Sequence, residues 1–245
     1  MKVAVISDIH GNLLALDAVL DELQTAPVDR IVCLGDVVAD GPQPQGVVAR
    51  LQGLGCPVVR GNMDDWFLDP GPPEAGGEDS RRIGDIEHWG VSCLSIAEMD
   101  YLRTFRTTVS VALAGEAELL CVHGSPRSNT EDISATSSED DLDRKLGGLQ
   151  PAVLASGHTH AAMFRRHREM ILINPGSVGS PSVRTAGGRR PCWAEYAVMT
   201  WQDGGASVDL RRRIVDFDLL ALTARESGMP HADWWIQRWQ DARAF

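Results

Sequence analysis

Five times along this chain a short apolar run ends in a Gly-flanked Asp, Asn or His. Lys2–Ile6 leads into Asp8 and His10, Arg30–Leu34 into Asp36, and Pro57–Arg60 into Asn62. Glu118–Val122 leads into His123, and Ala152–Ala155 into His158 and His160. A run of that length reads as a buried strand, and a polar group right after it lies at the strand's carboxyl end. In open α/β sheets those ends share one edge, where loops converge and ligands bind. The pattern therefore demands a sheet protein with one polar edge.

The intervening segments supply helices. Asn12 can cap a helix over Leu13–Gln24, whose Leu13, Leu16, Leu20 and Leu23 form one apolar face. Helical patterns also fit 45–51, 80–105 and, weakly, 140–146. Alternation of strand and helix reads as βαβ units in a largely parallel sheet. Hairpins are expected around Gly115 and between 161–167 and 170–173, with two more strands at 193–201 and 207–215. Residues 69–80, rich in Pro, Gly and acids, read as a loop or the edge of a small cap. The tail from Asp218 reads as helical and carries Trp234, Trp235 and Trp239. Such a stripe belongs to packed core or to a dimer surface, so a homo-oligomer is compatible with it. We expect one domain over 1–245, with a strand-helix extension at about 206–245.

Composition excludes several classes. A net charge of -11 argues against a protein that coats duplex nucleic acid. No apolar run approaches the roughly 20 residues of a membrane span. Five cysteines without a C-x-x-C pair fit reduced thiols, and the N-terminus meets a charge too soon for a secretory signal, so a cytoplasmic location is expected.

Asp8, His10, Asp36, Asn62, His123, His158 and His160 make seven side-chain donors. That is too many for one tetrahedral metal and right for two ions sharing a carboxylate. If the loops are extended, residues i and i+2 of Asp8-x-His10 and His158-x-His160 point the same way. The glycines beside them let the backbone approach an ion closely. Four imidazoles suit Mn, Fe, Co, Ni or Zn better than Mg or Ca. His88, His167 and His231 lack this context and are assigned structural roles. Asn12 is a candidate substrate contact as well as a helix cap, and Arg127 could clamp a phosphate or lie solvated in its loop.

The segments Ser7-Asp8-Ile9-His10-Gly11-Asn12, Gly35-Asp36-Val37-Val38, Gly61-Asn62-Met63-Asp64, Val122-His123-Gly124 and Gly157-His158-Thr159-His160 together resemble the calcineurin-like metallophosphoesterase superfamily. Asn174-Pro175-Gly176-Ser177-Val178-Gly179 is similar to its small bacterial and archaeal phosphodiesterase branch, as is the run from Gly35 to Pro42. The resemblance covers roughly residues 1–200. It implies an α/β/β/α sandwich of two sheets flanked by helices. Asp8, His10, Asp36 and His160 would hold the first metal, and Asp36, Asn62, His123 and His158 the second. It further implies a phosphodiesterase in which a metal-bridging hydroxide attacks phosphorus in line, with Mn²⁺ the expected ion and a small phosphoester the partner. Asp36, Asn62 and His123 would form the catalytic set.

One position departs from the family: Met63 stands where many members have a His, and it cannot titrate. Asp64, its neighbour, could supply a proton in its place. A phosphomonoesterase or nucleotide pyrophosphohydrolase would use the same metals. A non-catalytic metal-binding interaction scaffold is the reading from another class, against which all seven ligand positions are filled.

Overall fold

The computed structural model describes residues 1–72 and 76–244, so part of the loop expected at 69–80 lies outside the described residues. In chain order the elements begin with β1 (Lys2–Ile6), α1 (Leu13–Thr25), β2 (Arg30–Cys33) and α2 (Pro44–Leu54). They continue with α3 (Asn62–Leu68), α4 (Glu78–Cys93), α5 (Ile96–Arg103), β3 (Thr108–Ala112) and β4 (Glu118–Val122). Next come α6 (Glu139–Leu146), β5 (Val153–Ala155), β6 (Met163–His167), β7 (Met170–Asn174) and β8 (Arg190–Pro191). The chain ends with β9 (Trp193–Gln202), β10 (Gly205–Ile214), α7 (Phe217–Glu226), α8 (Ala232–Gln237) and β11 (Trp239–Gln240).

Two mixed sheets stack on one another. One has the order β10-β9-β1-β2 and the other β3-β4-β5-β7-β6. The parallel pairings, β1 with β2, β4 with β5 and β5 with β7, are flanked by antiparallel partners on both sheets. The largely parallel sheet read from the sequence is thus corrected to two mixed sheets: the first has one parallel pair, β1 and β2, at one edge, and the second has a parallel centre, β4-β5-β7, with antiparallel rims. Hairpins and the long β9–β10 ribbon carry the chain to the β3, β6 and β10 edges, whereas β2 is reached by a crossover through α1.

Strand alternation explains the layers. Val3 and Val5 of β1 face the second sheet, where Leu119, Cys121, Val153, Ala155, Ile171 and Ile173 meet them. Ala4 and Ile6 face the opposite way, onto Leu16, Val19, Val47 and Leu51 of α1 and α2. Leu120, Val122, Leu154 and Leu172 cover the outer side of the second sheet together with Leu142 and Leu146 of α6. Helices therefore cap both outer faces, the α/β/β/α arrangement. Asn12 caps α1 by accepting from the Ala15 N–H at 3.1 Å.

Several expected boundaries shift. The strand expected at 57–60 is reduced to single bridges, Cys33 to Val58 and Val59 to Arg106, because the backbone turns at Gly61 straight into α3. The helix over 80–105 breaks at Leu94–Ser95, where Ser95 and Glu98 form a capping box that starts α5. The tail is two helices and a strand rather than one helix. Gly228 has φ 79° and Pro230 follows, which stops α7, and Trp239 falls in β11.

Trp235 and Trp239 are buried in the main core with ring centroids 5.2 Å apart. The tail thus shares the core of the first sheet, and β10 is that sheet's edge strand. No helix among the described residues is long and apolar enough to cross a membrane. Truncating Trp235 to Ala should cost about 3–5 kcal/mol of stability. The exposed His231–Asp85 pair, removed by His231→Ala, should cost less than about 1 kcal/mol. Denaturant unfolding measures both, and equal midpoints for Trp235→Ala and the wild type would contradict a shared core.

Candidate metal centre

All seven donors lie at the carboxyl ends of β1, β2, β4 and β5 or in the turn that opens α3. They gather into two clusters, Asp8 with His10, Asp36 and His160, and Asp36 with His123 and His158; within each, the donor atoms lie within 4.8 Å of one another. Asp36 belongs to both. Asn62 Oδ1 lies 3.0 Å from His123 Nε2, which joins it to the second cluster.

The inward atoms are the Nε2 nitrogens. His10 and His160 bring theirs 3.0 Å apart, and His160 Nε2 is 3.3 Å from Asp8 Oδ1. His123 Nε2 is 3.3 Å from Asp36 Oδ2, and His10 Nε2 is 4.0 Å from the same oxygen. Two of the rings are locked from behind: His123 Nδ1 donates to the Leu34 carbonyl at 2.8 Å, and His160 Nδ1 to the Ser180 carbonyl at 2.5 Å. Such outer bonds fix the tautomer that leaves Nε2 free as a ligand.

The convergence has a different backbone origin from the extended loop expected of Asp8-x-His10 and His158-x-His160. Asp8, His10, Asp36, His158 and His160 all have positive φ, between 48° and 64°. A non-Gly residue in the left-handed region costs on the order of 1–3 kcal/mol, and such residues cluster at functional sites. Two glycines show how tight the packing is. A Cβ on Gly61 would lie 2.1 Å from Asp36 Oδ1, and one on Gly157 would lie 2.8 Å from Asp8 Oδ2. No other residue fits at either place.

A buried donor without a partner supports a metal. Asp8 Oδ2 is buried and finds no hydrogen bond among the described residues. Imidazole nitrogens and carboxylates are also the donor set that divalent transition metals take. The electrostatics point the same way. Burial opposes charge on Asp8, yet His160, His123 and His10 hold its carboxyl well below the usual range. Burial also opposes charge on His123, but Asp36 lifts its imidazole to about 10. Burial and the His160 charge push His10 down. Protons in this cluster occupy places that cations would take.

Asp64 was read only as a neighbour that could give a proton. The structure places its carboxylate elsewhere: it accepts the N–H groups of Asp36, Val37 and Gly61 at 3.0, 2.9 and 2.9 Å. It is fully buried and faces the backbone of two loops rather than a leaving group. Burial and the Asp36 charge raise its acid to about 7, against the pull of these bonds. The acid at the start of a helix, three residues after Gly61, was the available sequence signal. Met63 donates its N–H to Asp36 Oδ1 at 2.8 Å, and its side chain packs against the main core.

The two substrate candidates are engaged within the protein. Asn12 accepts from Ala15 N–H and donates weakly to the Gly179 carbonyl at 3.4 Å. The Arg127 guanidinium donates to the Arg144 carbonyl at 2.9 Å. The remaining histidines have structural partners: His167 meets Asp143 at 2.8 Å, His231 meets Asp85 at 2.8 Å, and His88 meets the Gly84 carbonyl at 2.8 Å. Asp132, which sequence reading passed over, lies 3.5 Å from His158 Nε2 through its Oδ1.

Comparison with known proteins adds to this geometry. Residues 1–204 match the family model of the calcineurin-like phosphoesterase superfamily domain. A metallophosphoesterase from Sphaerobacter thermophilus is similar in structure with a TM-score of 0.73 and 26% identity, over 97% of this chain and 98% of that one. A hypothetical protein from Pyrococcus horikoshii shares the fold with a TM-score of 0.77 and 19% identity, over 96% of each chain. An uncharacterised protein of Methanocaldococcus jannaschii is 47% identical over 66 residues, which is 27% of this chain and 27% of that relative.

Two outcomes follow from the site. Asp64→Asn leaves one acceptor oxygen for three N–H groups, so it should destabilise the protein by about 1–3 kcal/mol and weaken metal binding. Calorimetry and denaturant unfolding measure the two effects, and a variant unchanged in both would refute the positioning role. Metal binding should also release protons. His123 is protonated without metal at neutral pH and must be neutral to ligate, so its proton leaves on binding, until pH passes about 10. Titrations in buffers of different ionisation enthalpy count that proton; a count of zero at pH 7 would contradict the assignment.

Proposed function

The chain belongs to the calcineurin-like phosphoesterase superfamily, and from that membership we propose a metal-dependent phosphodiesterase built on a binuclear centre. One observation carries the reading: seven donors gather into two clusters that share Asp36. In this reading Asp8, His10, Asp36 and His160 hold one divalent ion, and Asp36, Asn62, His123 and His158 hold the other. Ions bound there would supply Lewis acidity toward the phosphoryl oxygens and toward water.

The chain's own residues then do three things. Asp8 and Asp36 provide the negative charge that holds cations at this edge, and Asp36 spans both places. The carbonyls of Leu34 and Ser180 keep His123 and His160 turned with Nε2 inward, so the centre needs little reorganisation on substrate binding. Met63 offers no proton to a leaving oxygen, and Asp64 is committed to the backbone, so departure of that oxygen takes no acid from this turn. A diester with a stable leaving group suits such a site.

Support for the diester class comes from the Asn174–Gly179 segment and its resemblance to the phosphodiesterase branch. Mn²⁺ is the ion we propose, and free cysteines fit a cytoplasmic setting. The Mn²⁺-loaded protein should hydrolyse an aryl phosphodiester faster than the matching monoester. Chelation or Asp36→Ala should remove nearly all turnover, whereas Cys33→Ala, in the core beneath, should keep it. Monoester preference would replace the diester reading with a phosphomonoesterase. No metal-dependent turnover of either ester would leave a scaffold.

A further inference from the structure

Beside the first-ion cluster the chain assembles three arginines from two distant segments. The loop after Ser180 is bound to His160 twice, through the Ser180 carbonyl on Nδ1 and through the Ser182 N–H on the His160 carbonyl at 3.3 Å. Arg184 lies on that loop and its Nη1 donates to the carbonyls of Pro181, Ser182 and Val183. On the other side, the turn after Asp36 is wedged against His10: a Cβ on Gly41 would lie 2.0 Å from the His10 carbonyl oxygen. Asp40, in that turn, takes the Arg238 guanidinium at 3.4 Å. The Arg190 N–H in turn donates to the Arg238 carbonyl at 2.7 Å, where β8 pairs with β11.

The cluster is unbalanced. Arg190 feels one carboxylate, Asp40, and two guanidiniums, Arg238 and Arg184. Burial and those like charges push Arg190 down to about 10. Its Nε is buried without a hydrogen-bond partner among the described residues, and its guanidinium lies 5.9 Å from the Trp239 ring centroid. Three guanidiniums against one carboxylate leave a local positive charge on segments held against His160 and His10, and in a chain of net charge -11 that charge favours an anion there. Guanidinium forks match the oxygens of a phosphate group. Arg238 comes from beyond residue 204, outside the family match, so the tail adds it to a site built by the rest of the chain.

We infer that Arg184, Arg190 and Arg238 form an anion-binding rim beside the metal centre, selecting phosphoesters that carry a second phosphate group next to the one cleaved. The inference rests on the phosphodiesterase reading, because the cleaved group is assigned to the ions and the second to the rim. A nucleotide ester bearing a further phosphate is the matching class of substrate.

A matched pair tests it: the 4-nitrophenyl ester of thymidine 5'-phosphate, with and without a 3'-phosphate, on the Mn²⁺-loaded full chain. KM should be lower for the 3'-phosphorylated ester by about 10-fold or more, the scale of one good charge-assisted contact. Arg184→Gln and Arg238→Gln should bring that ratio down to about two or less. A ratio near one in the wild type, or one that neither variant alters, overturns the rim. Arg238→Gln removes a contact to Asp40, so if its melting temperature falls, Arg184→Gln decides alone. Calorimetric binding of thymidine 3',5'-bisphosphate against thymidine 5'-phosphate reads the same preference without turnover. A protein that cleaves neither ester would end the phosphodiesterase reading, while this binding ratio still decides the rim.

Discussion

One buried carboxylate that is no candidate ligand, Asp64, holds together the two loops on which the centre depends. Three backbone N–H groups, from Asp36, Val37 and Gly61, end on its oxygens. Burying a charge is costly, and three N–H donors aimed at it are what make it tolerable. The bonds fix the turn after β2 against the turn into α3, and so set where Asp36 and Asn62 stand. Asp36 then receives the Met63 N–H and faces His123 and His10. Removing Asp64 would leave three donors unpaired and the shared carboxylate without its support.

The rest of the fold supplies the stiffness such a centre requires. Five candidate ligands sit in left-handed backbone, a conformation that non-Gly residues leave when nothing opposes it. Here opposition comes from below. Val3, Val5, Val32 and Leu34 are locked between two sheets, and Ile6 and Ile9 are locked under α1. The Gly179 N–H and the Ser177 hydroxyl both bind the Asp8 carbonyl, at 3.0 and 2.7 Å, which clamps the first loop from the far side. A close-packed core transmits that constraint because it cannot deform gradually.

Charge is distributed with the same economy. The chain is acidic overall, yet Arg184, Arg190 and Arg238 gather on segments that flank the metal cluster. Field at a site is set by the nearest charges rather than by the net total, so an acidic protein can still attract a phosphate there. Trp239 and Trp234 serve as flat supports for Arg190 and Arg238, and Asp40 is the carboxylate that pairs with Arg238.

Chemical identity and order were legible in the sequence. Each donor comes after a short apolar run and lies within three residues of a glycine, so residue type and strand register alone bring Asp8, His10, Asp36, His123, His158 and His160 to one edge. The two-sheet sandwich came through the resemblance of those motifs, whereas periodicity suggested a largely parallel sheet, because antiparallel edge strands carry the same apolar pattern. Side-chain direction was not legible. Asp64 turns inward to the backbone, Asn12 closes a helix end and Arg127 bonds a carbonyl, and all three outcomes depend on which polar partner folding brings near. The grouping of Arg184, Arg190 and Arg238 is more remote still, since 198 positions separate Asp40 from Arg238. Local chemistry determined which atoms could bind a metal. Only long-range packing decided where each of them points, because side-chain orientation follows from the neighbours present and not from spacing along the chain.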